Sequence, residues 1–366
     1  MDYKSLAREN ILTIEPYKPG KSIDEIKEAY GLDNVIKMAS NENPLGPSSK
    51  AKHAISEYLN NIHLYPLGDI RYLRRALSKK LKVNGDELIF GNGSDDIIEM
   101  LLLTFLKNGE HVLSAHPSFS EYILMSTVVG SFCKLVPLER NFVYNLDSIK
   151  KSIDSNTKII FLCNPNNPTG TYFNKSEFVK FMDNVLPEKI VVLDEAYAEY
   201  AEAEDFPVGF QLRKNYNNLV IMRTFSKAYG LAGLRVGYAV ADRTIVALMN
   251  RVRQPFNVNS LAQVAAIAAL EDDMHLDKTI SLNLEGKHYL YMELDKLYIK
   301  YIRSEANFIF IDVIDGLKVS EKLLKEGIIV RYMGAHFHEY IRVTIGTMRD
   351  NEIFIDKLKK VMGEVI

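Results

Sequence analysis

Short apolar runs that end in polar turns are the feature that most constrains the fold of this chain. Residues 191–193 lead directly to Asp194, residues 158–163 lead to an Asn- and Pro-rich turn, and residues 87–90 lead to a Gly-rich turn. Apolar runs of this length are typical of strands buried in a parallel sheet. Open α/β sheets bind ligands at the carboxyl ends of their strands. The sequence therefore predicts an α/β fold whose functional site contains the polar residues of these turns.

The segment at 224–235 carries the most specific chemistry in the sequence. Lys227 follows Thr224 and Ser226, small and Gly-rich residues come next, and Arg235 ends the segment. A lysine that forms an imine must lose its proton easily, and hydroxyls and a guanidinium are good donors to phosphate oxygens. A pocket that combines these functions suits pyridoxal 5'-phosphate, and we expect that cofactor here. Taken alone, the segment is also compatible with a basic turn in front of a Gly-rich loop.

The polar residues that follow the predicted strands complete such a pocket. Pyridoxal phosphate accepts electrons only while its ring nitrogen is protonated, so the protein must supply a carboxylate there. Asp194 is the candidate for that carboxylate, and Tyr197 is expected to reach the phenolic oxygen of the ring. Asn167, held in a turn rich in proline, is the candidate for a second hydrogen bond to the same oxygen. The open alternative is an acid that simply ends a strand.

A phosphate cradle is predicted where the turn at 91–96 precedes an apolar helix at 97–103. A glycine turn in front of a helix N-terminus presents backbone N–H groups to an anion. Gly93, Ser94 and Asp95 are expected to form the cradle, the last two through their backbone N–H groups. The turn is not a dinucleotide fingerprint, because position 96 is aspartate where that fingerprint needs its last glycine.

In this order the motifs resemble those of pyridoxal-phosphate enzymes with the aspartate-aminotransferase fold, which is also called fold type I. Among these enzymes the chain is similar to the class II aminotransferases and, within that class, to the histidinol-phosphate aminotransferases. The resemblance extends from residue 6 to the last helix. Further marks are Pro16-Tyr17, residues 40–44, Tyr65-Pro66, residues 117–119, residues 328–331 and residues 341–347. The resemblance implies an α/β fold with a mostly parallel seven-stranded sheet wrapped by helices, plus a smaller α+β domain.

The resemblance also implies roles for residues around the cofactor. Lys227 would bind it covalently and move a proton as general acid/base, and Phe119 would stack on its ring. Tyr65 would reach the cofactor phosphate of the neighbouring subunit in a homodimer. Residues 67–69 read Leu-Gly-Asp, where members of the family often have an acid directly after Tyr-Pro. We therefore expect the loop around Tyr65 to differ in shape.

On the substrate side, the resemblance implies exchange of an amino group between L-histidinol phosphate and 2-oxoglutarate. The products would be imidazole acetol phosphate and glutamate, a step of histidine biosynthesis. Arg342 would face the substrate phosphate or the α-carboxylate of glutamate, and Arg331 the phosphate or the distal carboxylate. Tyr17, Asn43 and Asn167 would complete the substrate pocket.

Other functions share most of these motifs. An aromatic amino-acid aminotransferase, an enzyme acting on both substrate types, or a related phosphothreonine decarboxylase would keep the lysine, the aspartate and the arginine. A transcription regulator of this fold would need an N-terminal DNA-binding module, yet the family-like region starts near residue 6. A structural protein that has lost catalysis would be expected to lack Lys227 or Asp194, and the sequence has both.

Length and charge predict the organisation and limit the partners. We expect an N-terminal arm at 1–44 that packs on the small domain, a large cofactor-binding domain at 45–255 and a small domain at 256–366. The formal net charge of −2 gives no reason to expect nucleic acid or an anionic membrane surface as a partner.

Cysteine and histidine usage limits compartment and metal chemistry. Cys133 and Cys163 lie in apolar stretches and the N-terminus lacks the apolar core of a signal peptide, which together favour the cytoplasm. His336 and His338 would share one face of a strand, but no third ligand is evident in the sequence, so we expect no metal site.

Overall fold

The computed structural model describes residues 2–16 and 20–363, so Tyr17 lies outside the described residues. The α-helices are α1 (Glu9–Leu12), α2 (Ile23–Tyr30), α3 (Ser49–Tyr58), α4 (Arg71–Leu81), α5 (Ser94–Phe105), α6 (Glu121–Val128), α7 (Leu146–Ser152), α8 (Lys175–Met182), α9 (Gly209–Leu212), α10 (Arg243–Met249), α11 (Ser260–Leu270), α12 (Asp273–Lys296), α13 (Gly316–Lys325) and α14 (Met348–Gly363). The strands are β1 (Ile36–Lys37), β2 (Leu88–Gly91), β3 (His111–His116), β4 (Cys133–Pro137), β5 (Thr157–Cys163), β6 (Ile190–Asp194), β7 (Leu219–Thr224), β8 (Gly237–Val240), β9 (Tyr301–Ile302), β10 (Phe308–Asp312), β11 (Ile328–Ile329), β12 (Arg331–Tyr332) and β13 (Tyr340–Thr344). Short 3-10 helices lie at Tyr3–Leu6, Leu59–Asn61, Gly85–Glu87, Ala198–Tyr200, Arg213–Asn215, Ala232–Leu234 and Ala335–Phe337. No helix within the described ranges is both long enough and apolar enough to span a bilayer.

The central sheet has seven strands in the order β2-β8-β7-β6-β5-β3-β4. Strands β4, β3, β5, β6 and β7 are mutually parallel, whereas β8 is antiparallel to its neighbours β7 and β2. Because β8 opposes both neighbours, β2 runs in the same direction as β7. The expected mostly parallel, seven-stranded sheet is confirmed, and every strand except β8 ends at the same edge.

Side chains of the central strands alternate between two apolar layers, as expected for a sheet covered by helices on both faces. In β5, Ile159 and Phe161 belong to the same buried layer as Leu101 of α5. The residue between them, Ile160, belongs to the opposite layer with Phe178 of α8. The sheet is therefore buried on both sides, and its carboxyl edge is left to polar residues.

A smaller antiparallel sheet, ordered β12-β13-β10-β9, forms the second part of the fold. On one face, Ile309 of β10 shares a core with Leu290 of α12 and Phe354 of α14. On the other face, Phe308 meets Tyr197 of the larger part edge-on, with ring centroids 5.1 Å apart. The expected smaller α+β unit is present, and it packs close to the residues that follow β6.

The N-terminal arm contacts both parts of the molecule, and helix α11, which begins just beyond residue 255, packs against the larger part. Asn10 donates hydrogen bonds to the carbonyls of Thr127 and Val128 at the end of α6, beside the large sheet. Farther along the arm, Ile26 of α2 shares an apolar cluster with Ile329 of β11. Helix α11 shares an apolar cluster with α3, α4 and β2. The division at residues 44 and 255 stays a prediction.

Candidate active site

The turns expected to form the site meet at the carboxyl edge of the central sheet. Strand β2 ends at Gly91 in front of α5, β5 ends at Cys163, β6 ends at Asp194 and β7 ends at Thr224. These strands run in one direction, so the turns that follow them are neighbours. The edge therefore brings together polar residues that are far apart in the sequence.

The N-terminus of α5 is the place where the anion cradle is predicted. Gly93 has a φ of 84°, and no side chain of the described residues caps the helix there. The positive φ requires glycine, and a Cβ built on Gly93 would lie 2.5 Å from Arg235 Nη2 and displace the end of that side chain. Arg235 donates a hydrogen bond to Asp95 Oδ2 at 3.0 Å. A guanidinium has five N–H donors, so this bond leaves others for a phosphate.

Thr224 and Ser226 are buried in the turn where β7 ends. Thr224 Oγ1 accepts a hydrogen bond of 3.0 Å from the backbone N–H of Ser226, which holds the turn just before Lys227. A hydroxyl that accepts one bond keeps its own proton as a donor. The arrangement is compatible with the predicted contacts to a phosphate.

The amine of Lys227 is partly buried, beside the carbonyl of Ser40 and the ring of Tyr197. Its Nζ donates a hydrogen bond to the carbonyl oxygen of Ser40 at 3.1 Å and lies 5.8 Å from the centre of the Tyr197 ring. Burial and, second, the positive charge of Arg342 lower the pKa of this amine from 10.5 to about 8. Such an amine exchanges its proton close to neutral pH, as a nucleophile and general base must.

Asp194 is only 3% exposed, and both of its carboxylate oxygens accept hydrogen bonds. Oδ2 accepts from the hydroxyl of Tyr122 at 2.6 Å, and Oδ1 accepts from the backbone N–H of Ala196 at 3.1 Å. Burial raises the pKa of the carboxyl from 3.8 to about 6, whereas the bond from Tyr122 acts in the opposite direction. Each oxygen of a carboxylate has a second acceptor site, so Asp194 can still bind a protonated ring nitrogen.

The hydroxyl of Tyr197 accepts a hydrogen bond of 3.0 Å from Asn41 Nδ2. Asn41 has a φ of 57°, and its backbone N–H donates to Thr344 Oγ1 at 2.9 Å. Burial raises the pKa of Tyr197 to about 12, so its hydroxyl is protonated at neutral pH and can donate to a ring oxygen. Sequence reasoning missed the role of Asn41, although it belongs to the motif at 40–44.

Arg342 of the small sheet reaches Asn167 in the turn that follows β5. Its Nη1 donates to Asn167 Oδ1 at 2.5 Å and its Nη2 donates to the carbonyl of Ala39 at 2.8 Å. The guanidinium lies 5.3 Å from the centre of the Phe308 ring. Because the amide oxygen of Asn167 faces Arg342, its NH2 group points away from the arginine. This orientation suits the predicted donor role of Asn167.

Arg331 and Arg342 are direct partners in the antiparallel register of β12 and β13. Directly opposed residues of an antiparallel pair project from the same face of the sheet, and like charges in that position destabilise it. An anion bound by both side chains would remove that repulsion. The register therefore places two arginines side by side, and an anion site at this pair stays a prediction.

The remaining cofactor candidates occupy different surroundings. Phe119 meets Tyr122 edge-on with centroids 5.6 Å apart, which places it near Asp194. Tyr65 lies away from this cluster: it is 81% exposed and stacks on Phe256 at 4.9 Å. The stacking of Phe119 on a cofactor and the reach of Tyr65 into a neighbouring subunit stay predictions.

Asn43 holds the loop in front of α3. Its Nδ2 donates to the carbonyl of Ala228 at 2.9 Å and to Thr279 Oγ1 at 3.0 Å. Its Oδ1 accepts from the backbone N–H of Leu45 at 2.9 Å. These bonds tie the loop to the residue after Lys227, and a direct contact of Asn43 with substrate stays a prediction.

A buried ion-pair network anchors the strand ends that carry Asp194 and Thr224. Glu195 is fully buried and accepts from Arg223 at 2.8 Å and from the backbone N–H of Gly209 at 3.0 Å. Arg223 also pairs with Glu199 at 2.9 Å. Since Glu195 and Arg223 directly neighbour Asp194 and Thr224 in sequence, the network fixes the spacing between β6 and β7 at the site.

The two histidines considered as metal ligands do not lie on a strand. His336 belongs to the 3-10 helix Ala335–Phe337, and His338 follows it. The alternation expected for a strand is therefore wrong for this segment. Within residues 2–16 and 20–363, no group of three or more His, Cys, Asp or Glu side chains is arranged to hold a metal ion.

Known proteins resemble this chain in both sequence and fold. A histidinol-phosphate aminotransferase from Moorella thermoacetica is 48% identical over 359 residues, which span 97% of this chain and 93% of that protein. One from Caldicellulosiruptor saccharolyticus is 45% identical over 358 residues, spanning 97% and 99%. The crystal structure of histidinol-phosphate aminotransferase from Sinorhizobium meliloti in complex with pyridoxal-5'-phosphate superposes with a TM-score of 0.91 over 99% of both chains, at 22% identity, which shows a shared fold.

The family profile described as aminotransferase class I and II matches residues 33–358. This range includes both sheets and the residues at their junction. The family expected from the motifs is confirmed, and the chain belongs to the class I and II aminotransferases.

Proposed function

We propose that this chain is a pyridoxal-phosphate-dependent aminotransferase that transfers the amino group of L-histidinol phosphate to 2-oxoglutarate. The products are imidazole acetol phosphate and glutamate, and the reaction is a step of histidine biosynthesis. The observation that carries the substrate assignment is the opposed pair of Arg331 and Arg342 beside the partly buried Lys227 amine. The relatives at 48% and 45% identity, both histidinol-phosphate aminotransferases, support it.

The residues of the site fit the cofactor. The cradle at Gly93 and Arg235 suits its phosphate, the Lys227 amine suits its aldehyde, and the Asp194 carboxylate suits its ring nitrogen. When bound, pyridoxal phosphate supplies the electron sink that accepts the charge left when a substrate Cα–H bond is broken. Asp194 holds a proton on the ring nitrogen, which keeps that sink effective.

Lys227 moves the proton of the reaction. With a pKa of about 8, its amine is available both to accept the proton of the substrate Cα and to return one. Tyr197, fixed by Asn41, and Asn167, fixed by Arg342, would donate hydrogen bonds to the ring oxygen. Those bonds would orient the reacting atoms relative to Lys227.

The two arginines let one pocket accept two differently shaped substrates. Histidinol phosphate places its phosphate against Arg342 and Arg331. Glutamate and 2-oxoglutarate place the α-carboxylate at Arg342 and the distal carboxylate at Arg331. Bidentate guanidinium contacts suit both phosphate and carboxylate. Tyr17 completes this pocket in our proposal, although it lies outside the described residues.

The enzyme acts as a homodimer in the cytoplasm in this proposal. Ile62, Leu64 and Tyr65 are 62%, 55% and 81% exposed, and Phe256 beneath Tyr65 is 44% exposed. Several exposed apolar side chains close together in sequence, with Tyr65 stacked on Phe256, are compatible with a protein interface. Pairing through this surface would carry Tyr65 to the phosphate cradle of the other subunit. Free thiols at Cys133 and Cys163 suit a reducing compartment.

An aromatic amino-acid aminotransferase is the second candidate. Arg342, held by Asn167 and Ala39, is sufficient for an α-carboxylate without Arg331. An aromatic substrate has no second anionic group, so it would leave Arg331 without a charged partner on the substrate. The effect of Arg331 on activity toward each substrate therefore distinguishes the two candidate functions.

The pH dependence of cofactor binding should reveal the pKa of Lys227. The neutral amine is the nucleophile, so the rate at which apoprotein takes up pyridoxal phosphate should rise with pH through a midpoint near 8 rather than 10.5. Arg342→Ala should move the midpoint upward, because the positive charge that disfavours protonation is lost. Stopped-flow absorbance across the pH range measures both. A midpoint near 10.5 in the parent would contradict the lowered pKa of the amine.

Replacement of Arg331 should separate the substrates. Loss of one partner of a buried charge pair costs about 2–5 kcal/mol, so Arg331→Ala should lower kcat/KM for histidinol phosphate by roughly two orders of magnitude or more. Phenylalanine, which has no distal anion, should be affected much less. Steady-state kinetics with both substrates tests this.

The matched control is Arg303→Ala, since Arg303 is exposed and lies over the Tyr291 ring at 5.6 Å, away from the site. Equal losses for the two substrates in Arg331→Ala would assign Arg331 to the fold. A parent enzyme that prefers phenylalanine or tyrosine would favour the second candidate.

Mixed dimers should show whether Tyr65 serves the partner's site. Tyr65→Ala and Lys227→Ala proteins, each impaired alone, should regain activity when unfolded together and refolded as a mixture. In a mixed dimer one site then has both native residues, so about a quarter of the parent activity is expected. Transaminase activity of the mixture measures this. Activity no higher than the sum of the separate variants would mean that Tyr65 serves its own chain or no site.

A further inference from the structure

Tyr122 is a buried residue to which the sequence motifs assign no role. Its ring is 1% exposed and stacks on Phe161 of β5, with centroids 4.4 Å apart and planes 8° apart. Its hydroxyl donates to Asp194 Oδ2 at 2.6 Å. An O–H donor at this distance from a carboxylate lies in the range of strong, charge-assisted hydrogen bonds. The stacked ring therefore aims the hydroxyl at the one carboxylate expected beside the cofactor.

The same side chain contacts the aromatic residue expected on the cofactor ring. Phe119 precedes Tyr122 by three positions and meets it edge-on at 85°, with centroids 5.6 Å apart. Tyr122 thus packs between Phe119 and Phe161 and also binds Asp194. A residue that merely filled the core would need neither the hydroxyl nor this orientation.

We propose that Tyr122 is a positioning residue that fixes the Asp194 carboxylate and keeps the proton shared with the cofactor ring nitrogen on the nitrogen. The inference rests on the proposed function, because it requires Asp194 beside that nitrogen. A donor to a carboxylate stabilises its charged form. Without this donor the buried carboxyl becomes more basic and takes the proton. The number of protons is unchanged, and only the atom that holds the proton differs.

The chain offers a matched control for the loss of a buried tyrosine hydroxyl. Tyr291 is also buried, and its hydroxyl accepts a hydrogen bond of 2.8 Å from the backbone N–H of Ser304 in the small domain. Tyr291→Phe should therefore lose some stability, as Tyr122→Phe should, without any change at Asp194. Both variants lose a buried hydroxyl, so a difference between them reflects the contact that only the Tyr122 hydroxyl makes with Asp194.

The experiment is nitrogen-15 NMR of pyridoxal phosphate labelled in the ring and bound to the parent, Tyr122→Phe, Tyr291→Phe and Asp194→Asn proteins. Tyr122→Phe should move the ring-nitrogen signal from the protonated toward the unprotonated position, and Tyr291→Phe should match the parent. Cofactor affinity, measured by equilibrium dialysis, should fall about tenfold or more in Tyr122→Phe. A carbocyclic analogue without the ring nitrogen should bind Tyr122→Phe and the parent equally well.

Two outcomes would overturn the inference, and they are distinguishable. A parent-like signal in Tyr122→Phe with a changed signal in Asp194→Asn would reject the role of Tyr122 and keep that of Asp194. A parent-like signal in Asp194→Asn would remove Asp194 from the ring nitrogen and reject both roles.

A second variant keeps the test decisive if Tyr122→Phe does not fold. Tyr122→3,5-difluorotyrosine retains the ring and donates a stronger hydrogen bond because its phenol is more acidic. The bound ring nitrogen should then be protonated at least as fully as in the parent. A less protonated nitrogen would overturn the inference.

Discussion

The burial of Asp194 and the partial burial of Lys227 are the constraint on which the rest of the site depends. Burial raises the pKa of Asp194 to about 6 and lowers that of Lys227 to about 8, so both titrate near neutrality. A buried charge is costly unless hydrogen bonds stabilise it. Bonds from Tyr122 and the backbone N–H of Ala196 to Asp194, and from Lys227 to the carbonyl of Ser40, meet that requirement. These contacts hold the carboxylate and the amine in place.

The predicted site lies where the large and small sheets meet. The large sheet supplies the carboxyl edge with the cradle, the aspartate and the lysine, while the small sheet supplies the arginines. Arg342 joins them through its bonds to Asn167 and to the carbonyl of Ala39. Its charge in turn lowers the pKa of Lys227. Substrate anion binding and the protonation state of the amine are therefore electrostatically coupled, so a bound phosphate that screens Arg342 favours protonation of Lys227.

Sequence reasoning predicted what is local and missed what depends on distant contacts. The aliphatic run before Asp194 and the glycine turn before the helix that became α5 are encoded within short windows, and the structure has both of them. The bond from Tyr122 to Asp194 joins residues 72 positions apart, and that from Asn41 to Tyr197 joins residues 156 apart. From the sequence alone, Tyr122 cannot be told from a core residue, nor Asn41 from an ordinary loop residue. The register of Arg331 with Arg342 likewise exists only once β12 and β13 pair. The proposed contact of Tyr65 with a neighbouring subunit cannot be read from one chain.

The central claim, that Lys227 is the residue that binds pyridoxal phosphate covalently, is most directly tested by reducing the loaded protein with borohydride and mapping the labelled peptide. Reduction makes the lysine–cofactor bond permanent, so the modified residue can be identified by mass spectrometry. The account predicts a single labelled peptide that contains Lys227 and the absence of that label in Lys227→Ala. A label on another lysine, or a protein that takes up no cofactor, would contradict it.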